Sequence, residues 1–548
     1  MNTSHARNTA AFLVALALVG CGGGGGGGSG GNTPSPAPVA PSPTPTIVVT
    51  VTPSGPIQQT FPTGDPVSVA LTGRVTATNL ASGSVVYLKL RDTTNTYRVP
   101  AAQPAAVDQS FRVEIPPSPN HTAGNYAGQF EITPCGDGQC TKILGPAVRV
   151  DYSLYVTLLG EWEGYQRDSA HAGYVPTSLD PSRLQLMWTW VPPRDAAAVG
   201  ATLSRPATDP DSLFVVGSSV MLDGSEQSPA VYGVGAYNGK VRWSHAIAPT
   251  AHAVAPSTST GTVYATTLND PTLVTGLEAA TGAVRFRYSQ STLPSAAILS
   301  PTTYGQSVFF AGPNGEEIHS ISSHEGQPLW ARPRVGLQVA MPALNAAHVI
   351  YQAGGTIEVL NARDGSPVAS LVDPASDGAA YPGPTAVVLG THGNAIVNSY
   401  NATQGSSRLS SFHIENRRHE WSTSQSYRPL FAVGDGVIYA NRRNAPVPTL
   451  DAIDENSGQV LWSWTPPTVE AQTAMVGNIL LTRNLVFFST EGAGGSFVWA
   501  VDRATRQEVW RYPGGGYVVM SGNRTFYIVS GPFGAPLDYV RGFREMLP

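Results

Sequence analysis

Leu450-Asp451-Ala452-Ile453-Asp454-Glu455-Asn456-Ser457-Gly458-Gln459-Val460-Leu461-Trp462 reads as a strand, a Ser-Gly turn and a second strand closed by a tryptophan. Glycine at the turn supplies the left-handed backbone that a tight reversal demands. Similar units end at Trp243 (after Asn238-Gly239), Phe286 (after Thr281-Gly282), Trp330 (after Glu325-Gly326) and Ala369 (after Asp364-Gly365). Two more end at Trp421 and Trp510, with Arg417 and Arg506 in the place of the glycine, so their turns are expected to differ. Ten residues before each terminal position stands Gly233, Gly276, Ser320, Val359, Ser411, Ala452 or Ala500. Six of these seven are small, which fits close packing by a neighbouring sheet.

A second signal is interleaved with the first. Short apolar doublets recur at Leu213-Phe214, Val263-Tyr264, Val308-Phe309, Val349-Ile350, Ile396-Val397, Val437-Ile438, Val486-Phe487 and Phe526-Tyr527. Their second residues are spaced by 50, 45, 41, 47, 41, 49 and 40, the period of four-stranded propeller blades. Eight such inner strands accompany only seven Gly-to-Trp units, so the last unit lacks its outer strand. Leu184-Gln185-Leu186-Met187-Trp188-Thr189-Trp190 is the unattached candidate. If it completes the final sheet, the ring closes and no inter-strand edge is left open. The expectation is an all-β protein with an eight-bladed β-propeller closed by an N-terminal strand, seven blades being the alternative count.

The pattern A-x-D-x-x-[ST]-G-x-x-x-W, clearest from Ala452 to Trp462, resembles the tryptophan-docking motif of quinoprotein-like propellers. The run Trp162-Glu163-Gly164-Tyr165-Gln166-Arg167-Asp168-Ser169-Ala170-His171-Ala172-Gly173-Tyr174 is similar to the segment that precedes the first blade there. The resemblance implies blade-docking roles for Trp188, Trp243, Trp330, Trp421, Trp462 and Trp510, and for Gly239, Gly282, Gly326, Gly365 and Gly458. It covers residue 162 to the end, within a propeller domain placed at 158–548, and extends to the propeller subunit of the outer-membrane β-barrel assembly machinery, which implies a non-enzymatic scaffold for other envelope proteins. Two alternatives are a surface carbohydrate- or peptide-binding module and a quinone-dependent dehydrogenase. The dehydrogenases commonly carry adjacent cysteines and calcium ligands; this chain has three cysteines, none adjacent, and no D-x-[DN]-x-[DN]-G loop.

The N-terminus sets the compartment. Residues 1–20 hold Arg7 and an apolar run from Ala10 to Val19, too short to span a bilayer and suited to a secretory signal. Leu18-Val19-Gly20-Cys21 resembles the bacterial lipobox, which implies lipid attachment at Cys21 and membrane anchoring. With Gly22 next, the expected location is the outer membrane, periplasmic or surface-facing. Residues 21–46, rich in Gly, Pro and Ser, cannot bury apolar area and read as a disordered tether. Residues 47–157 show six or seven short alternating strands whose length and spacing favour an immunoglobulin-like β-sandwich, although none of the ten tryptophans lies here and the core Trp of antibody-type domains is absent. Cys135 and Cys140 flank a turn-like Gly136-Asp137-Gly138-Gln139 and are expected to form a disulfide in an oxidising compartment.

Formal net charge is −5, and 13% of residues are charged; with no basic surplus, nucleic-acid binding has no electrostatic support. Gly27-Gly28-Ser29-Gly30-Gly31 matches G-x-S-x-G but lacks the strand-turn-helix setting that makes such a serine reactive. His319, His324, His413 and His419 fall in or near repeat turns and read as solvated loop residues, not zinc ligands. Asp454 and Asp502 share the acidic position of the repeat and are expected to bond turn amides. No catalytic residue, metal or cofactor is assigned from the sequence.

Overall fold

The structure, a computed structural model, describes residues 45–63, 67–118, 123–247, 255–266, 272–289, 300–311, 317–335, 340–382, 385–467, 472–530 and 539–546. Cys21, the signal and the tether up to residue 44 lie outside the described residues. Apart from one 3-10 turn at Pro181–Arg183, every described element is a strand.

Two sheets hold the N-terminal strands. One orders Thr46–Thr52, Val69–Thr78 and Ser110–Ile115; the other orders Ile57–Pro62, Val148–Thr157, Gly124–Cys135, Val85–Asp92 and Gln103–Ala106. Alternation along each strand sends one set of side chains inward. Ile47, Val49, Leu71 and Val113 of the first sheet thus share one core with Leu88, Phe130, Ile132 and Leu154 of the second. Ile57–Pro62 and Gln103–Ala106 were not anticipated; the first is half polar and the second carries Pro104, so neither alternates cleanly. Cys135 and Cys140 are joined by a disulfide. The Asp137 carboxylate inside that loop accepts from the Gln139 and Thr141 amides and the Thr141 hydroxyl.

From Gly200 onward the chain lays down antiparallel sheets in succession. The second of these orders Ser257–Ser259, Thr262–Thr266, Thr272–Glu278 and Val284–Ser289, and the next ones repeat that layout. All eight apolar doublets lie in strands, always the second of the set rather than the innermost. Strands such as Thr262–Thr266 are buried along their whole length, because sheets stack face to face and cover both sides. This is why they read as unbroken apolar runs. One sheet has seven strands, because Arg418–Gly434 pairs through its first half with Ser406–His413 and through its last residues with Val437–Arg442.

The final sheet is closed by the N-terminal strand. Leu184–Trp190 runs antiparallel to Val540–Glu545, with Trp188 opposite Gly542 and Trp190 opposite Val540. The arrangement is an all-β propeller.

What holds neighbouring sheets together is an indole over a glycine. A Cβ built on Gly239 would lie 2.5 Å from the Trp188 ring, and one on Gly282 would lie 2.5 Å from Trp243. Gly326 meets Phe286 at 2.2 Å, Gly365 meets Trp330 at 2.6 Å and Gly458 meets Trp421 at 2.5 Å. Four of the five rings come from one sheet and meet the turn of the next, and Trp421 and Gly458 stand in the two halves of the seven-stranded sheet. Four of the indoles also donate Nε1–H to the carbonyl three residues before the glycine: Ala236, Ala279, Ala362 and Glu455. A buried indole N–H left without an acceptor would cost about 1–3 kcal/mol, so the hydrogen bond lets the ring be buried to 8–9% exposure.

The small residues ten positions upstream serve a different contact from the one expected. Gly233, Gly276, Ser320, Ser411, Ala452 and Ala500 are the cross-strand partners of their own hairpin's aromatic residue. They make room for the ring to lie flat across its own sheet. Gly542 does the same beneath Trp188, where a Cβ would come within 2.4 Å. The closing sheet therefore splits between the two chain regions a pair that every other sheet keeps in one hairpin.

Of the two arginine turns expected to differ, one does and one does not. Arg506 has φ 62°, beside 65–72° for the five glycines, and keeps the same amide bond to the carbonyl four residues back, at Asp502. Arg417 is also left-handed, at φ 53°, but its amide reaches only three residues back, to Ile414. The sheet before Arg417 ends in Ala369, which brings no ring, and Trp462, preceding the Arg506 turn, is only half-buried. Asp454 and Asp502 accept from the amides of Ser457 and Thr505 within their turns.

Trp188→Ala should lower unfolding free energy in urea by about 3–5 kcal/mol, the usual cost of deleting a buried tryptophan. Gly282→Ala should also destabilise, because the added methyl meets Trp243 and the backbone is left-handed. Arg506→Gly should instead raise stability by up to about 1 kcal/mol, because a side chain is removed from a left-handed position without loss of a buried ring.

Candidate functional site at the centre of the ring

Residues 161–178 pass from sheet to sheet in chain order and bond each in turn. The carbonyls of Trp162, Glu163, Ser169, Ala170, Ala172 and Gly173 accept from the amides of Thr208, Thr258, Leu344, Leu389, Val433 and Leu481. Each acceptor carbonyl meets the end of a first, innermost strand. Thr177 continues the series by accepting from the Arg483 amide and from Arg524 Nη1, and Ser178 O accepts from Arg524 Nη2. At the other end, Glu161 Oε2 accepts from the Gly522 amide and the Thr208 hydroxyl, so the segment starts and finishes on the closing sheet. It is a strap tying the inner rim together.

The strap turns sharply. Gln166, Arg167 and His171 all have positive φ, at 49°, 89° and 57°, a conformation that costs side-chain-bearing residues about 1–3 kcal/mol each and persists only where surroundings impose it. Here they are imposed: Gln166 O accepts from the Gly173 amide, Gln166 Nε2 donates to His171 O, and Arg167 Nη1 donates to Tyr174 O.

Burial displaces several titratable groups on the strap, among them His171 and Glu163. His171 is fully buried, with Nδ1 2.9 Å from Val387 O and Nε2 3.3 Å from Thr302 Oγ1. A carbonyl can only accept, so Nδ1 carries the proton and Nε2 accepts from the threonine. Desolvation brings His171 down to about 4. Glu163, bonded by the Thr303 hydroxyl, is pushed up to about 7, mainly by desolvation with a contribution from the neighbouring Asp168 charge. Glu161 is raised as well, again chiefly by burial.

Over the strap lies a cavity of about 760 Å³, reaching from Arg205 to Tyr381, Arg443, Met475 and Glu491. Arg205 also lines a small void against Trp162, Tyr165 and Gln166, so it marks the boundary between strap and cavity. Its guanidinium lies 4.8 Å from the Tyr165 ring and 5.3 Å from the Tyr517 ring.

The sequence-chosen histidines do not converge. His319 is buried, stacked on Phe310 with centroids 5.3 Å apart and with Nε2 3.2 Å from Glu317. His419 is half-buried with Nε2 2.8 Å from Ser422 Oγ. Both lie in strands, as does the half-buried His413 at the end of Ser406–His413, so the solvated-loop expectation is corrected for these three. Among the described residues no group of three His, Cys, Asp or Glu side chains is placed to hold a metal ion. Arg205, Arg428 and Arg443, which line the cavity, were not singled out from the sequence, because isolated arginines outside the repeat motif carry no spacing signal.

Glu163 and His171 pull in opposite directions with pH. Glu163 binds its proton more tightly folded than unfolded, so its contribution is present below about 4.5 and is lost as pH rises through about 7. His171 binds its proton less tightly folded, so its contribution is present above about 6.5 and is lost as pH falls toward about 4. Thermal melts across pH should show Glu163→Gln gaining on the parent protein above pH 7. His171→Gln should lose less stability than the parent on acidification between pH 6.5 and 4.

Comparison with known proteins now bears on this geometry. Residues 227–464 match the family described as outer membrane protein assembly factor BamB. No curated protein matches the chain. Among solved structures, quinohemoprotein alcohol dehydrogenase from Comamonas testosteroni aligns with a TM-score of 0.50 at 11% identity, over 71% of this chain and 82% of that one. BamB from Moraxella catarrhalis aligns at 0.48 and 15% identity, over 66% and 99%. Over residues 227–464, then, the repeat of this chain is similar to that of the BamB-type, quinoprotein-like propeller family.

Proposed function

We propose that the chain is a membrane-anchored, non-enzymatic scaffold that binds other envelope proteins through its propeller, in the assembly of outer-membrane or other envelope components. In this reading Cys21 carries the lipid and residues 21–46 form the tether. Residues 47–157 form an immunoglobulin-like spacer, and residues 158–548 form an eight-bladed propeller docked through Trp188, Trp243, Trp330, Trp421, Trp462 and Trp510. The observation that carries the proposal is the family match over residues 227–464, whose description is an outer-membrane assembly factor. The repeat aromatics also favour it over a carbohydrate-binding module: Trp188, Trp243, Trp330 and Trp421 are buried between sheets and offer no stacking platform.

A quinone-dependent dehydrogenase would need a cation beside the quinone and, commonly, a vicinal disulfide over it. The charged lining of the central cavity is instead three arginines and one glutamate, and the cysteine pair lies in the N-terminal sheets. These residues do not fit the group, and no step is assigned through it.

Crosslinking in cells, followed by mass spectrometry of the co-purified proteins, tests the scaffold. Recovery of barrel-assembly subunits or other envelope proteins is the expected result. Recovery of cytochromes, or of protein-bound quinone, would reverse the reading.

A further inference from the structure

We propose that the central cavity binds an acidic, partly apolar peptide segment of a partner protein. The proposal rests on the scaffold reading for the kind of ligand, and on the cavity itself for its chemistry.

The cavity is built where two innermost strands leave their ladders. In Arg418–Gly434 the register with Val437–Arg442 breaks between Tyr427 and Phe431. In Gln472–Leu481 the register with Leu485–Gly492 breaks between Val476 and Leu480. Residues 428–430 and 477–479 are thereby freed from regular pairing and line the cavity together. Bulges of this kind re-aim side chains and recur beside functional sites. Gly477 fits the second bulge because its φ is +73° and a Cβ would sit 2.4 Å from Gly516 O. Asn478 fixes the wall, its amide exchanging two hydrogen bonds with the Val518 backbone.

The charge of the lining is one-sided. Arg205, Arg428 and Arg443 face the cavity against the single carboxylate of Glu491, although the whole chain is net acidic. Arg443 stands 6.0 Å from the Tyr381 ring centroid, and its Nη1 is buried without a hydrogen-bond partner among the described residues. A buried guanidinium N–H without an acceptor is costly, and a carboxylate is the group that matches its planar donor fork. Arg428 is exposed, which places positive charge where a ligand would first be met. Between the cations lie Pro429, Leu430, Met475 and Ile479, an apolar floor for the side chains that alternate with the acids along an extended peptide. The volume is within the range of pockets that take small molecules or short peptide segments.

The test uses the full chain and fluorescein-labelled hexapeptides, one alternating Glu with Leu and one alternating Gln with Leu, followed by fluorescence anisotropy. The Glu-Leu peptide should bind about tenfold tighter at low salt, with the gap closing at high salt. Arg428→Gln and Arg443→Gln should each weaken it by about fivefold or more, and Glu491→Gln should strengthen it. Arg428 is at the surface, so its variant reports binding even if Arg443→Gln fails to fold, and melting curves separate the two. Equal binding of the two peptides, or binding indifferent to all three substitutions, would overturn the proposal. Displacement of the peptide by an equal concentration of free glutarate would identify a small-anion site and overturn the peptide assignment. Failure here with envelope proteins still recovered by crosslinking would remove the cavity from the scaffold's function and leave the scaffold standing.

Discussion

An indole laid over a glycine turn of the neighbouring sheet is the contact on which this molecule depends. Each sheet alone exposes two apolar faces and cannot persist in water. The docked ring covers part of a face, and its Nε1–H caps a turn carbonyl of the next sheet. That single side chain therefore fixes both the distance and the rotation between sheets. It requires room twice: a glycine in the turn, where the ring sits against the backbone, and a glycine, serine or alanine across the strand, where it must lie flat. The last sheet obtains the same contact only because Trp188 is delivered from the N-terminal side onto Gly542. A linear stack would leave that ring exposed and two strand edges unpaired.

The strap is the second constraint, and it works from inside. Docking acts near the outer turns, whereas residues 161–178 act on the ends of the innermost strands. The two together hold each sheet at both ends of its radius. Three left-handed non-glycine residues and several displaced titratable groups are tolerated on the strap because so many backbone bonds over-determine its path. The cavity beside it is where two adjacent innermost strands bulge, so a closed ring still presents backbone and arginine side chains that the ladders do not consume.

The fold was legible in particular residues. The eight apolar doublets fell in strands because a strand covered on both faces has to be apolar throughout. Asp454 and Asp502 bonded their turns because a short carboxylate beside a reversal reaches the amides of its own loop. Readings that failed did so where the same residue type answers two demands. The small residues upstream accommodate a ring of their own hairpin, not of a neighbour, since cross-strand partners lie closer than stacked sheets. Arg506 adopts the glycine turn, hydrogen bond included, because the surrounding hairpin imposes it, whereas the Arg417 turn shares only the left-handed backbone.

What the sequence determined by itself is whatever depends on side-chain identity at a fixed spacing: the repeat, its docking rings and turns, and the strand left over to close the circle. Tertiary structure alone decided the strap, the buried states of His171, Glu163 and His319, and the gathering of Arg205, Arg428 and Arg443 around one cavity. The strap ties the ring through backbone carbonyls, which every residue owns, so no pattern of letters marks it. Arg428 and Arg443 share one sheet, but Arg205 lies beside the first sheet, and only closure of the ring brings it to the same centre.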